Sequence, residues 1–289
     1  MSSVVQFGLL IIILSGSVKS ANILGFFPIA AVSHQKFFQP IWRELSLRGH
    51  NVTVYTPNPL QNSSLVNLTE IDLSDLYDYM GKGQIKEVMR GSTSPYQAFH
   101  VIYETLVMPL LEVFENHVEI QKFLRDNTSQ YDVVLVEPFP LVFLALGSKF
   151  NCPVISVVSL NPFTPIHESV GNVIHPVFYP DVPLSYVHDL NFFERLYNTF
   201  QTLKIMIYHE YNLLARCDEY IKKNIGENIP PIREISRNIS ALFLSLNPIF
   251  NIVRPLSPLT IPMSFMHVQP PKELPQTKQQ RTLISRTFL

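Results

Sequence analysis

The constraint that most limits the fold lies in the first 57 residues: a short apolar run, a helical stretch and a second apolar run in close succession. Asn22–Phe27 (NILGFF) is apolar and ends at Pro28, which reads as a buried strand. From Lys36 to Arg48 the apolar residues Phe37, Phe38, Ile41, Trp42, Leu45 and Leu47 recur at helical spacing, and Gly49 stands where a helix C-cap belongs. Asn51–Tyr55 (NVTVY) is the next strand, stopped by Pro57. Strand, helix, strand over so short a span is a βαβ unit, which implies a parallel pair.

The pattern continues along the chain. Leu68–Leu73 reads as a third strand, Asp75–Met89 as a weak helix, and Tyr96–Arg125 as a long helix with a kink or break at Pro109. Tyr131–Val136 (YDVVLV) and Pro153–Val158 (PVISVV) are buried strands flanking a helical Leu141–Phe150. Asn161–Pro183 is Pro-rich and irregular, Asn191–Cys217 is an amphipathic helix, and Ala241–Leu246 is a last strand. Near-continuous apolar strands alternating with helices imply an α/β fold, a Rossmann-like parallel sheet flanked by helices. Residues 21–255 form that domain. Residues 256–289 read as a linker-like segment and a flexible tail, since Pro, Gln and Lys/Arg dominate after Pro255.

Composition removes several classes of function. Lys+Arg 22 against Asp+Glu 23 leaves no basic excess for nucleic acid. A hydrophobic fraction of 46% excludes a mainly disordered chain. Two cysteines, Cys152 and Cys217, exclude a disulfide scaffold and a Cys-based zinc cluster; they are compatible with one disulfide or with two buried thiols. The nine histidines lack metal-ligand spacing, so no metal is expected. G-x-S-x-G, G-x-G-x-x-G, P-loop and H-E-x-x-H motifs are absent.

Residues 1–20 read as a secretory signal: Leu9–Leu14 extends a short apolar core, with small residues before Ala21. No later stretch reads as a transmembrane helix; Val133–Phe150 is interrupted by Glu137, Pro138, Pro140 and Lys149. Sequons at Asn62, Asn67, Asn127 and Asn238 fit a secretory chain, whereas Asn51 opens an apolar strand and is expected to be buried.

In open parallel sheets ligands bind beyond the carboxyl ends of the strands. Two strand ends carry a titratable residue there: His34 after the first strand and Glu137 after Val136. A histidine beside a carboxylate is a general-base pair, able to take a proton from a hydroxyl as it attacks an electrophile. The same residues could equally be a helix cap and a solvated loop carboxylate. Phe139 and Phe163, on loops past strand ends, are the aromatics best placed to line a pocket; most of the other phenylalanines read as core. His167-Glu168 and His175 lie in the Pro-rich loop and read as pocket-shaping residues rather than metal ligands.

Residues 23–57 (ILGFFPIAAVSHQKFFQPIWRELSLRGHNVTVYTP), YDVVLVEPF, PVISVVS and RPLSPLTIPMSFMHVQPPKELP together resemble the amino-terminal half of insect UDP-glycosyltransferases. The resemblance covers roughly residues 1–275. It implies the first half of a GT-B fold, which binds a small lipophilic acceptor, while a second half binds the UDP-sugar. By position His34 is the family's base, and Glu137 stands where many members have an Asp. The resemblance implies hexosyl transfer, glucose or glucuronic acid, with no cofactor beyond the UDP-sugar co-substrate, in the endoplasmic reticulum, or in the lumen or secreted if no anchor follows. The donor half is not recognised in this sequence, so the chain is expected to be inactive alone. The alternative is a non-catalytic lipophilic-ligand-binding protein or a regulatory, homo- or hetero-oligomeric partner of a full-length relative.

Overall fold

The computed structural model describes residues 20–79, 94–181, 190–247, 249 and 251–268. The leader reading of residues 1–19, the Asp75–Met89 helix beyond Tyr79 and the tail after Val268 lie outside the described residues.

Seven parallel strands form one sheet in the order β3-β2-β1-β4-β5-β6-β7. In chain order they are β1 (Asn22–Phe26), β2 (Asn51–Thr56), β3 (Leu68–Asp72), β4 (Val133–Val136), β5 (Val154–Val158), β6 (Ala241–Leu244) and β7 (Thr260–Pro262). The α/β reading of the sequence holds, with a Rossmann-like parallel sheet. β7 is an addition: it lies beyond residue 255 and pairs with β6 through Leu242, Phe243 and Leu244.

Both faces of the sheet are covered at its centre, which is why β1, β4 and β5 are almost continuously apolar, whereas the edge strand β3 (LTEID) is only partly buried. On one face, helix α1 (Val32–Leu47) lays Phe37, Phe38, Ile41 and Trp42 on Ile23, Val52, Val54 and Leu135. On the other, Leu24, Phe26, Val134 and Val136 meet the longer helical layer. Alternate residues of β1 and β4 thus serve opposite cores, as the two-residue period of a strand requires. Each fully buried large side chain among them contributes about 1.5–3 kcal/mol. Gly49, at φ +88°, ends α1 in the left-handed conformation that glycine tolerates.

The second layer departs from the sequence reading in four places. Tyr96–Arg125 is α2 (Pro95–Val101), a π-helical turn (Ile102–Val107), α3 (Met108–Asn116) and α4 (Val118–Arg125). Pro109 does not break it. The widened turn just before lets the proline enter the first turn of a renewed α-helix, where its missing N–H costs nothing. The break comes at His117, whose extended backbone and Nδ1, bonded to the Ile120 N–H at 3.4 Å, cap α4. Leu141–Phe150 is a 3₁₀ turn (Leu141–Ala145) followed by α5 (Leu146–Phe150). The irregular Asn161–Pro183 contains the short α6 (Thr164–Ser169).

The helix expected over Asn191–Cys217 runs further: α7 (Phe192–Tyr208), a π turn (His209–Leu213) and α8 (Leu214–Asn224), then α9 (Ile232–Arg237). A capping box at Asn191 and Glu194 starts it. Both cysteines are free thiols: Cys217 is buried and Cys152 half-buried. Asn51 is exposed rather than buried, because it is the first residue of β2 and its side chain projects past the strand pairing to Asn22 Oδ1 at 3.1 Å. No described helix is long and apolar enough to cross a membrane.

Candidate active site

The strand order reverses between β1 and β4: β2 and β3 lie to one side of β1, β4 through β7 to the other. The crevice beyond the carboxyl ends of these two strands is where open α/β sheets bind ligands. Phe26 and Val136 are register partners at those ends. Glu137 directly follows Val136, and His34 occupies the first turn of α1 after the β1 loop.

The fold brings them together. His34 Nδ1 and Glu137 Oε1 are 2.5 Å apart. Glu137 is fully buried, while the His34 side chain retains 21% exposure, so the imidazole is the member that faces outward. A carboxylate on Nδ1 holds the proton there and leaves Nε2 as the nitrogen able to accept one. Burial works to lower the His34 pKa, but the charge of Glu137 and the hydrogen bond to it outweigh burial, and the pKa is raised above 6.5. Burial pushes the Glu137 carboxyl up against the opposing pull of His34. Its second oxygen, Oε2, is buried without a hydrogen-bond partner among the described residues. His34 is therefore the strongest counterpart Glu137 has, and the pair is tightly coupled.

Gln35 holds the loop that presents His34, and sequence reasoning missed it. Its side chain is fully buried. Nε2 donates to the Phe27 and Ile29 carbonyls at 2.9 and 2.8 Å, and Oε1 accepts from the Thr56 hydroxyl at 2.8 Å. Nothing in a lone glutamine beside a histidine signals this. The three partners come from the β1 loop and the end of β2, so they meet only in the fold.

The aromatic candidates join one chain of rings. Phe139 is half-buried and lies 6.0 Å from Tyr103, centroid to centroid. Tyr103 meets Phe99 at 4.6 Å, and Phe99 meets Phe163 edge-on at 5.0 Å. Phe163 is buried in the core at the N-cap of α6, so of the two only Phe139 keeps appreciable exposure beside the dyad's loop.

His167 does not shape an open pocket. It is buried, with Nε2 on Asn161 Oδ1 at 3.0 Å and Nδ1 on Asn172 Nδ2 at 3.1 Å. Both ring nitrogens are satisfied in the neutral form. Burial first, and the charge of Arg254 second, push its pKa down to about 3. Asn172 Oδ1 in turn accepts from the Ser257 N–H and the Thr260 hydroxyl, tying this loop to β7. Glu168 pairs with Arg237 at the surface, and exposed His175 lies against Phe178. Among the described residues no group of three His, Cys, Asp or Glu side chains could hold a metal. Of the sequons, Asn62, Asn127 and Asn238 are exposed and Asn67 is half-buried.

No protein-family model matches the chain. Similarity to curated proteins decides the question. The chain is 31% identical over 261 residues to UDP-glycosyltransferase UGT5 of Dactylopius coccus, covering 89% of this chain and 49% of that protein. By sequence, the chain falls in the UDP-glycosyltransferase family. A second member, the ecdysteroid UDP-glucosyltransferase of Choristoneura fumiferana defective polyhedrosis virus, is 30% identical over 255 residues, with 84% and 50% covered. The chain spans about half the length of the family members it matches. Among solved structures it is similar to CalG4, the calicheamicin glycosyltransferase, at 15% identity and TM-score 0.43, covering 86% of this chain and 52% of that one.

Proposed function

We propose that this chain is the acceptor-binding half of an inverting UDP-glycosyltransferase, the first half of a GT-B pair. The single observation that carries the reading is the His34–Glu137 contact at the switch point of the sheet, in a chain of this family. In the reaction His34 Nε2 takes the proton of an acceptor hydroxyl. The acceptor oxygen forms its bond to the anomeric carbon of a UDP-hexose as the bond to UDP breaks, and UDP leaves with the bonding electrons. Glu137 steadies the imidazolium that results, across a short charge-assisted hydrogen bond.

The acceptor is a small lipophilic alcohol or phenol. Phe139 would touch it, with Tyr103, Phe99 and Phe163 backing that wall. The sugar nucleotide is a co-substrate rather than a resident cofactor, and its binding falls to the half of the relatives that this chain does not match. The exposed Asn62, Asn127 and Asn238 and the apolar leader suit a protein of the secretory pathway.

The test is transfer to a phenolic acceptor by the longest in-frame protein that contains these residues. His34→Ala should lower kcat by about 10²–10⁴-fold, the worth of a positioned general base, with acceptor affinity little changed. An unchanged kcat would remove His34 from the chemistry.

A further inference from the structure

Helix α7 is turned inside out. Its buried positions are Asn198, Gln201, Thr202 and Ile205, three of them polar. Among the described residues the oxygens Asn198 Oδ1, Gln201 Oε1 and Thr202 Oγ1 have no hydrogen-bond partner there. The outward positions carry the large apolar side chains. Between residues 192 and 211 ten positions are exposed, and eight of them are Phe192, Phe193, Leu196, Tyr197, Phe200, Leu203, Ile207 and Tyr211. Phe193 is 77% exposed and Tyr211 80%. At 1.5 Å per residue this stripe is about 30 Å long. Scattered surface hydrophobics need no explanation, but a continuous aromatic stripe of this size does.

The other two exposed positions are Arg195 and Lys204, both cations. Lys204 lies with its Nζ 4.8 Å from the Phe200 ring centre and 5.4 Å from that of Tyr96, an ammonium at the rim of the aromatic face. No carboxylate shares the exposed set. Glu194 accepts the Asn191 N–H at 2.8 Å, and Glu210 is ion-paired with Arg233.

We propose that this face lies on the surface of an anionic lipid bilayer, with the helix axis in the plane of the headgroups. A phenylalanine- and leucine-rich face with a cationic rim is what an interfacial helix presents. The charge pattern chooses the occupant. A second copy of the same face would bring Arg195 and Lys204 to a surface with no free carboxylate to meet them, whereas phosphatidylserine supplies the anion. A single helix is also convex and offers no groove to a peptide. The inference concerns α7 alone and does not depend on the His34–Glu137 chemistry.

The experiment uses the full 289-residue chain. Because Val4, Val5, Phe7 and Leu9–Leu14 are also apolar, the readout must be local. An environment-sensitive dye on Leu203→Cys should shift to the blue when phosphatidylcholine–phosphatidylserine vesicles are added, and much less with phosphatidylcholine alone. The same dye on Val66→Cys, exposed on the connection between β2 and β3, should not shift.

In co-sedimentation, Phe193→Asp/Phe200→Asp should weaken vesicle binding at least about tenfold per phenylalanine. Arg195→Gln/Lys204→Gln should weaken it about fivefold per charge, with the salt dependence reduced to match. The second variant keeps the apolar face intact, so a folding defect in the first leaves the test standing. A dye at position 203 that does not respond to anionic vesicles overturns the proposal. So does a wild-type dimer that Phe193→Asp/Phe200→Asp splits into monomers without any vesicle binding, which would make a second copy the occupant.

Discussion

The loop above β5 and β6 contains two buried titratable groups whose responses to acid have opposite sign, and substitution should separate them. His167 has its pKa pushed down from 6.5 to about 3 by burial and by Arg254. Asp181 has its pKa pushed up from 3.8 to about 6 by burial, which outweighs its two bonds from Thr164 and the charge of Arg254. Between these values the native state binds fewer protons than the unfolded chain at His167, so stability falls as pH falls. At Asp181 the native state keeps its proton longer than the unfolded chain does, so stability rises as pH falls through about 6 toward 3.8.

Linkage puts numbers on this. From pH 7 to about pH 4.5, His167 alone removes about 2.5 kcal/mol, and Asp181 alone restores about 2 kcal/mol. The wild-type chain should therefore show little net change from this pair. Asp181→Asn exposes the full His167 loss of about 2.5 kcal/mol, while His167→Asn reverses the slope and gains about 2 kcal/mol on acidification. The assay is urea unfolding at the two pH values, compared as the variant-minus-wild-type difference so that other groups, such as His209, cancel. If Asp181→Asn loses no more stability on acidification than the wild type, the two groups are not buried as described and the reasoning fails.

Three further outcomes follow from the site and the core. Glu137→Gln keeps the burial of His34 but removes the charge that outweighs it, so the His34 titration followed by proton NMR should move from above 6.5 to below it; a midpoint that stays put would show that the carboxylate does not hold the proton. Gln35→Ala leaves two carbonyls and the Thr56 hydroxyl without their partner and should cost about 3 kcal/mol in urea unfolding, whereas a loss under about 1 kcal/mol would mean that water replaces the amide. In Gly147→Ala the new methyl would sit 2.0 Å from Val154 Cγ2 and 3.0 Å from the Cys152 carbonyl, so α5 must shift from β5 at a cost of about 1–3 kcal/mol, read as a Tm lowered by several degrees; an unchanged Tm would show that this contact yields freely.

Much of this molecule was legible in the chain. Apolar runs bounded by proline and glycine marked the strands at Asn22, Val133, Val154 and Ala241, because a strand covered on both faces is mostly apolar, and the alternating Val52 and Val54 marked the strand at Asn51. That His34 and Glu137 each follow a strand was also readable, since it depends only on local order. β7 was not, because three residues after a Pro-rich stretch carry no period and acquire strand geometry only by pairing with β6.

The sequence by itself determined the alternation of strand and helix, the α/β class and the two strand ends that carry a titratable residue. Tertiary structure alone decided that β1 and β4 are neighbours, and with that the 2.5 Å contact between two residues 103 positions apart. It also decided that Gln35 ties the loop to β2, that His167 is locked neutral between two asparagines, and that α7 turns its polar side inward. The reason is common to all four. Periodicity along a chain states which residues share a face. What that face meets is settled by strand pairing and packing between segments far apart in sequence.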